Sequence, residues 1–574
     1  MPSLRFIKLA NVFEQLERTT SGNKMREILA RFFKTVPKKE IDIIAYLLLG
    51  QIASKYEDIN IGMAEKMVLR SIAIDSGRAE KEVSSTFKKL GDVGLTAEKL
   101  TTKSKPTLTV AQVFNTLHKI AAASGPGSQE FKIKTLAALL KKASPKEARY
   151  IARIILGTLR LGAGDMTLLD ALAIAFTGTK ANKPKLEHAY NICPDIGIIA
   201  KTIAIKGLKG IEKIGVTVGR PIQMMLAQRA KSVQMIKEKI PGVIACEEKY
   251  DGERVQAHFD GKRIILFSRR LENTTNQFPD VVEGLKKSIK AKSYVIEGEV
   301  VPIDEKGNLL PFQILMQRRR KYDVELYVKK IPVCLFLFDL LFLNGKSYIH
   351  KPYPERHKAL QKIIKPTKRI KLANRKLCKE IDCIEDFFNW CISHGAEGII
   401  AKSCAPDSTY KAGVRGWLWI KWKQEYQKLA DTFDLVVVGA FYGKGKRAGT
   451  YGALLCAAYN HKLDRFETFC KLGSGFTDKQ LAELPKKFAK YKIPHKPARL
   501  LVHKDMKPDV WFTPAVVVEV LGAEITRSPL HTCAVEKGQG LALRFPRFVR
   551  YRADKSPEQA TTVKEILDMY KERK

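Results

Sequence analysis

The sequence predicts three domains in series: an all-α first domain over residues 1–230, an α+β second domain over 231–428, and a C-terminal all-β barrel of OB-fold type over 429–574. Three observations carry this expectation. The chain has 574 residues, too many for one core, since domains hold roughly 50 to 250. Its 45% hydrophobic and 28% charged residues are the balance of a folded chain. The spacing of its apolar residues also changes character twice between the two ends.

The first domain follows from apolar residues at three- and four-residue steps in KEIDIIAYLLLGQIASKY, SGRAEKEVSSTFKKLGDVG and PKEARYIARIILGTL, the pattern of amphipathic helices. In RLGAGDMT (160–167) glycines precede a helix, with Asp165 or Thr167 as the expected cap; helix N–H groups there suit a phosphate, and a plain helix–turn–helix junction fits equally well. VGRPIQMMLAQRA (218–230) reads as a connector. From about 243 short alternating strands appear (KRIILFSRR, YVIEGEVVPID, EGIIAKS, WLWIKWK), mixed with helical pieces such as IEDFFNWCISH. Beyond about 430, FDLVVVGAFYGKGKRAGTYGALLCAAY and AVVVEVLGAEITRS give strands and glycine turns without long helices between them, which predicts a small barrel.

Charge narrows the partners. With 101 Lys+Arg against 60 Asp+Glu the net is +41, an excess that favours a polyanion because neutralised phosphates release condensed counterions. An anionic membrane is disfavoured, as no basic amphipathic anchor is visible. No stretch resembles a signal peptide, and IDIIAYLLLG and VCLFLFDLLFL are too short or too interrupted to span a bilayer. A cytosolic-type location is expected. The ten cysteines form no CxxC pair and the ten histidines no HExxH, which predicts reduced thiols without a disulfide frame, zinc ribbon or zincin site.

The common phosphate loops fail. GKS at 345–347 lacks the first glycine of a P-loop, because residue 340 is Leu340; a turn after a buried strand is expected there. GKGKRAG (443–449) misses GxGxxG at Ala448 and lies between strands. Any nucleotide is therefore held by other means.

EEKYDGER (247–254) offers one. On a strand, Glu247, Lys249 and Asp251 share a face. Taken alone, that is a solvated ion-pair row. The pattern recurs, however. Glu297 and Glu299 share a face in YVIEGEVV, Glu397 opens the apolar EGIIAK, and WLWIKWK puts Trp417, Trp419, Lys421 and Lys423 opposite Leu418, Ile420 and Trp422. Arg254, Arg269 and Arg415 lie nearby in sequence to these strands. Charges gathered from several apolar strands point to a cleft for phosphate and metal.

KYDGER (249–254), FSRR (267–270), EGE (297–299), LFDLL (337–341), EGIIAK (397–402), WIKWK (419–423) and RFPRFVRYRADK (544–555) stand in the order of the covalent nucleotidyltransferase motifs. Over essentially its whole length the chain resembles ATP-dependent DNA ligases of the archaeal and eukaryotic replicative type. The resemblance implies a DNA-binding first domain, an adenylation domain and an OB-fold, acting on nicked DNA as a monomer, with ATP and Mg²⁺ as cofactors and a sliding clamp as a candidate partner. The location it implies is cytoplasmic, on the nucleoid, or nuclear in a eukaryote. It implies that Lys249 attacks the ATP α-phosphate, that Glu247 lies at the adenine edge and that Phe338 stacks on the base. Core packing explains Phe338 as well. Arg254 and Arg269 would hold ribose and phosphates, Glu299 the ribose or a metal, Glu397 the metal, and Arg415, Lys421 and Lys423 the phosphates. Arg544, Arg547 and Lys555 would join when the last domain closes. Arg270 and Trp422 depart from the family pattern, where an asparagine-like and a smaller aliphatic residue are expected.

Rivals are an mRNA capping guanylyltransferase or an RNA ligase, neither of which needs the long helical domain. An NAD⁺-dependent ligase would bring a zinc-ligand cysteine cluster that this chain lacks. A non-catalytic DNA-binding scaffold fits the charge equally well but not the lysine and carboxylate set.

Overall fold

The computed structural model describes residues 3–19, 21–101, 104–159, 161–318, 324–423, 432–443 and 449–572. The chain divides into two compact units, Met1–Arg78 with Ala97–Lys428, and Ala79–Thr96 with Leu429–Lys574. In the first unit, helices run from Phe6–Glu17 to Ile196–Ile211. Gly22–Thr35 buries Met25, Leu29, Phe32 and Phe33 against Asp165–Thr177, which buries Leu168, Leu169 and Leu172. Ser144 and Glu147 form a capping box at the start of Pro145–Ile155, with the proline inside the first turn, where its missing N–H costs nothing. The expected cap at 165–167 is corrected: Gly164 is the N-cap and no side chain caps the helix, because Asp165 instead accepts a hydrogen bond from the Tyr190 hydroxyl at 2.9 Å. Arg160, which opens that motif, lies outside the described residues.

After the connector come β1 (Leu226–Arg229), β2 (Ile244–Lys249), β3 (Glu253–Phe259), β4 (Ile264–Ser268), β5 (Tyr294–Pro302), β6 (Val333–Leu343), β7 (Lys346–Ser347), β8 (Ile370–Leu372), β9 (Arg375–Cys378), β10 (Gly398–Ser403) and β11 (Arg415–Lys423). They form two sheets, β1-β11-β10-β2-β9 and β4-β3-β5-β6-β7, with β8 joined to β6. The GKS segment follows the buried strand β6 as expected, with Gly345 in the turn and Lys346 and Ser347 forming β7.

Strict alternation explains how each sheet serves two environments. Ile244, Cys246, Ile399, Ala401, Ile420 and Trp422 pack into one core with the helices Val233–Lys239 and Ile381–Ser393. Trp422, the larger residue at a departure from the family pattern, stacks on Phe388 at 4.0 Å. Val255, Ala257, Ile296, Leu335 and Leu337 do the same beneath Pro279–Ser288 and Tyr353–Ile363. The opposite faces of both sheets line one cleft.

Two expectations fail here. Trp417 leaves the face of Trp419, Lys421 and Lys423: the β1–β11 register jumps between Ala227↔Gly416 and Gln228↔Ile420, and this bulge turns Trp417 toward Lys239, whose ammonium lies 5.2 Å from its ring. The thiols are not all reduced, since Cys378 and Cys383 form a disulfide with Cα atoms 5.5 Å apart. Their spacing is no recognised motif; the turn between the end of β9 and the next helix brings them together.

The second unit holds β12 (Thr432–Tyr442), β13 (Tyr451–Asn460), β14 (Arg465–Leu472), β15 (Lys492–Ile493), β16 (Leu500–Leu501), β17 (Val510–Leu521), β18 (Glu524–Ser528), β19 (Cys533–Glu536), β20 (Gln539–Arg544) and β21 (Arg547–Tyr551). They make a sheet β15-β17-β12-β13-β14-β16, with β21 on β17, and a second sheet β18-β20-β19, an OB-like arrangement. Two longer helices were not expected: Asp478–Phe488, opened by a Thr477–Gln480 capping box, packs Leu481, Leu484 and Phe488 into the core between the strands, and Val563–Glu572 adds Val563 and Ile566. GKGKRAG falls largely outside the described residues. Among the described residues no helix is long and apolar enough to cross a membrane.

Asp339 and Arg356 are wholly buried and paired at 2.8 and 2.9 Å, and Arg356 also donates to the carbonyls of Lys351 and Ser408. Asp339→Ala strands the guanidinium, so chemical denaturation should show a loss of about 3–5 kcal/mol; a loss below about 1 kcal/mol contradicts this account.

Candidate functional site

The cleft between the two sheets is a cavity of about 560 Å³. Register builds it. Gly398 of β10 pairs with Lys249 of β2 on one side and Lys423 of β11 on the other. Glu397, one residue earlier, therefore lies between two ammonium groups. Its Oε2 is 2.5 Å from Lys249 Nζ and 2.6 Å from Lys423 Nζ. Only glycine permits this: Gly398 has φ +145°, and a Cβ there would sit 2.1 Å from the Trp422 carbonyl oxygen. Gly252 does the same for the turn after Lys249, since a Cβ would meet the Val300 carbonyl oxygen at 2.4 Å.

Charge is distributed unevenly across the cavity. Burial pushes the Glu397 carboxyl up, but Lys249 and Lys423 hold it below its ordinary value. Among the described residues no cation pairs directly with Glu299. Burial, with Glu397 and Asp251 adding repulsion against Lys249 and Arg254, raises it to about 7. Asp251 is raised first by burial, and its carboxylate accepts from the Phe312 N–H at 3.0 Å. Lys421 is pushed down by burial and then by Lys249, Lys423, Arg415 and Arg269. So many cations around one lysine make the cavity favourable for an anion.

The closed end of the cavity is aromatic and polar. Lys402 is buried, 2.6 Å from Glu247, with its ammonium 4.6 Å from the Phe338 ring and 4.3 Å from Trp419. The Tyr353 hydroxyl donates to Glu247. Burial raises Glu247 and lowers Lys402. Arg254 pairs with Glu297 at 2.7 Å, its guanidinium carbon 5.3 Å from both Phe338 and Trp419.

Lys249, Glu247, Arg254, Arg269, Glu299, Phe338, Glu397, Arg415, Lys421 and Lys423 all line this one cavity. Arg269 and Arg415 are exposed at its mouth, as is Arg270. Arg544, Arg547 and Lys555 belong to the second unit; Arg544 and Arg547 are exposed, and Lys555 is 2.6 Å from Asp434, which also binds Arg552. Sequence reasoning missed Lys402, Tyr353 and Tyr410. Lys402 had a signal: it ends EGIIAK on the face of Ile400, which pairs with Glu247. The tyrosines had none, being brought in from the helix Tyr353–Ile363 and a loop. Among the described residues no three His, Cys, Asp or Glu gather as a metal cage.

A lysine amine, a ring of cations, paired carboxylates and an aromatic end together suit a polyphosphate that carries an aromatic group. Comparison with known proteins agrees. Family models described as DNA ligase N terminus, ATP dependent DNA ligase domain and ATP dependent DNA ligase C terminal region match residues 5–173, 224–423 and 447–555. "DNA ligase 2" of Thermofilum pendens is 50% identical, covering 100% of this chain and 98% of its own; "DNA ligase 1" of Methanosarcina acetivorans is 47% identical, covering 99% of each. The solved structure "Pmar-Lig_Pre." is 17% identical with a TM-score of 0.56, covering 95% of this chain and 99% of that one, a likeness of fold.

Because the fold disfavours the charged form of Glu299, it costs stability as pH rises from its unfolded value through about 7 and costs the full amount above that. Glu299→Gln removes this cost. In the absence of ligands the variant should match wild type near pH 4 and gain on the order of 1–3 kcal/mol on it by pH 8. Thermal unfolding across pH checks this; a constant difference across that range contradicts it.

Proposed function

The chain belongs to the ATP-dependent DNA ligases and seals nicks in duplex DNA, and within that activity we propose that Lys249 is the residue that becomes bonded to AMP. The observation that supports it is the shared carboxylate: Lys249 and Lys423 meet on Glu397 at 2.5 and 2.6 Å in the cation-lined cavity. A lysine amine is a nucleophile once it sheds its proton, which neighbouring cations and desolvation favour. The Lys249 nitrogen attacks the α-phosphorus of ATP; an N–P bond forms, the bond to the bridging oxygen breaks, and pyrophosphate leaves with the electron pair. AMP then passes from Lys249 to the 5′-phosphate at the nick. The 3′-hydroxyl attacks that phosphate, AMP leaves, and the strand is whole. Each step is an in-line displacement, so positioning and charge stabilisation supply most of the rate.

The family resemblance suggests the remaining roles, and the shared lining of one cavity supports them. Glu247 and Lys402 offer an acceptor and a donor at the closed end, where Phe338 forms a wall for the base. Arg254 and Glu299 serve the ribose side, and Arg269, Arg415, Lys421 and Lys423 the phosphates. Glu299 and Glu397 would hold Mg²⁺. The fit is chemical: Mg²⁺ takes one or two carboxylates plus substrate phosphates and needs no preformed cage, and Glu299 is raised by burial first and then by its carboxylate neighbours Glu397 and Asp251, whose repulsion a cation would relieve. When bound, the ion neutralises phosphate charge.

In this reading residues 1–230 grip DNA, 231–428 carry adenylation, and 429–574 bring Arg544, Arg547 and Lys555 to the pyrophosphate. Backbone phosphates rather than base edges would be contacted. The enzyme acts as a monomer in the cytoplasm on the nucleoid, with a sliding clamp as a candidate recruiter.

Lys249→Ala should abolish the protein–AMP adduct formed from labelled ATP while retaining affinity for nicked duplex; an adduct at the normal level refutes the assignment. Lys421→Ala should slow adduct formation on the order of 10- to 100-fold, and unchanged rates at every step argue against a phosphate role. Nick affinity should fall by orders of magnitude between about 50 and 200 mM salt; a flat response contradicts backbone recognition.

A further inference from the structure

The connector GRPIQMMLAQ, marked in the sequence but given no part in the chemistry so far, is stitched to the strand that carries Arg254. Along β3, Arg254, Gln256 and His258 share one face, opposite Val255 and Ala257 in the core. Each meets the connector backbone, at steps of three residues. Arg254 donates to the Met225 carbonyl at 2.8 Å. Gln256 accepts from the Ile222 N–H at 2.7 Å and donates to the Ile222 carbonyl at 3.3 Å. His258, which burial keeps neutral, accepts from the Gly219 N–H through Nδ1 at 3.1 Å. Its Nε2 faces the Gln256 side-chain oxygen at 2.8 Å, as the matching tautomer requires.

Tyr410 closes this network. Its hydroxyl is 2.9 Å from the Met225 N–H, which donates to it, and 3.0 Å from each oxygen of Glu297, to which it donates. Glu297 in turn pairs with Arg254 at 2.7 Å and accepts from Gln256 at 3.1 Å. A closed circuit results. Met225 gives its N–H to Tyr410 and takes a bond from Arg254 on its carbonyl, while Glu297 holds both side chains. Its centre is buried: Tyr410 is 4% exposed, and Glu297 and Gln256 are 0% exposed, while Arg254 is partly buried and faces the cavity.

We propose that Tyr410 is a positioning residue for adenylylation, whose hydroxyl locks the connector at Met225 and the Glu297 carboxylate together so that Arg254 is fixed against the nucleotide cavity between Phe338 and Trp419. A ring alone does not do this. The phenol is the one group that satisfies the Met225 amide and Glu297 at once, and a buried group left without its partner drives local rearrangement. Removing the oxygen frees Glu297 to turn and lets Arg254 follow it. The connector thereby becomes part of the nucleotide site, and its placement is coupled to how well that site is formed.

The inference rests on the cavity being the nucleotide site, and the experiment separates the two. In the full-length protein without DNA, the rate of protein–AMP formation is measured against ATP concentration for wild type, Tyr410→Phe and Arg254→Ala, with the rise in Tm produced by ATP recorded for each. Tyr410→Phe keeps the ring against Trp419. It should raise the KM for ATP on the order of 10-fold, the loss of one buried hydrogen bond, with a much smaller change in the limiting rate and a reduced ATP-induced rise in Tm. Gln256→Met, which does not line the cavity, should move KM the same way if Tyr410→Phe fails to fold. An unchanged KM in the foldable variant, or a fall in Tm and limiting rate with KM unmoved, overturns the proposal. If Arg254→Ala also leaves KM unchanged, the nucleotide reading itself has failed.

Discussion

A single carboxylate oxygen shared by two ammonium groups sets the geometry on which the rest of this enzyme depends. Glu397 can reach both Lys249 and Lys423 only because β2, β10 and β11 are paired with Gly398 opposite each lysine. A slip of one residue in either ladder would turn its charges into the apolar core and the core residues into the cleft. The core therefore enforces the site: Ile399, Ala401, Ile420 and Trp422 fix which face is inward, and the alternate residues have no choice but to meet.

The cleft is assembled at an electrostatic cost. Lys402 and Glu247 are almost fully buried together, and burial raises the Glu299 carboxyl to about 7. Isolated charges at such depth are unfavourable, and pairing offsets only part of the penalty. Lys249, Lys423, Arg415 and Arg269 repel Lys421, and the phosphates of the proposed nucleotide would offset that repulsion. That arrangement suits the proposed sequence of three displacements at phosphorus, in which charge stabilisation does most of the work.

Much of the cleft was legible from alternation alone. Glu247 and Lys249 are alternate residues on a strand whose other face begins with Ile244 and Cys246, and Lys421 and Lys423 alternate with Ile420 and Trp422, so each pair had to share a face. What alternation could not show was depth or bulges. The jump in register that turns Trp417 away is a backbone irregularity with no residue signature of its own, and Cys378 meets Cys383 through a turn whose shape the spacing does not reveal. Tyr353 and Tyr410 come from other parts of the chain, and only three-dimensional pairing makes them neighbours of Glu247 and Glu297. Buried polar partners of this kind are hard to find in one sequence, because each resembles an ordinary core aromatic until its hydroxyl is seen to have a partner.

The central claim is a bond between one nitrogen and phosphorus. Incubating the full-length protein with ATP and Mg²⁺, digesting it and sequencing the modified peptide by mass spectrometry locates that bond directly. The account predicts a single adenylyl group on the peptide containing EEKYDGER, carried by the side chain of Lys249. An adenylyl group on any other residue, or strand joining with no nucleotide attached to the protein at any stage, contradicts it.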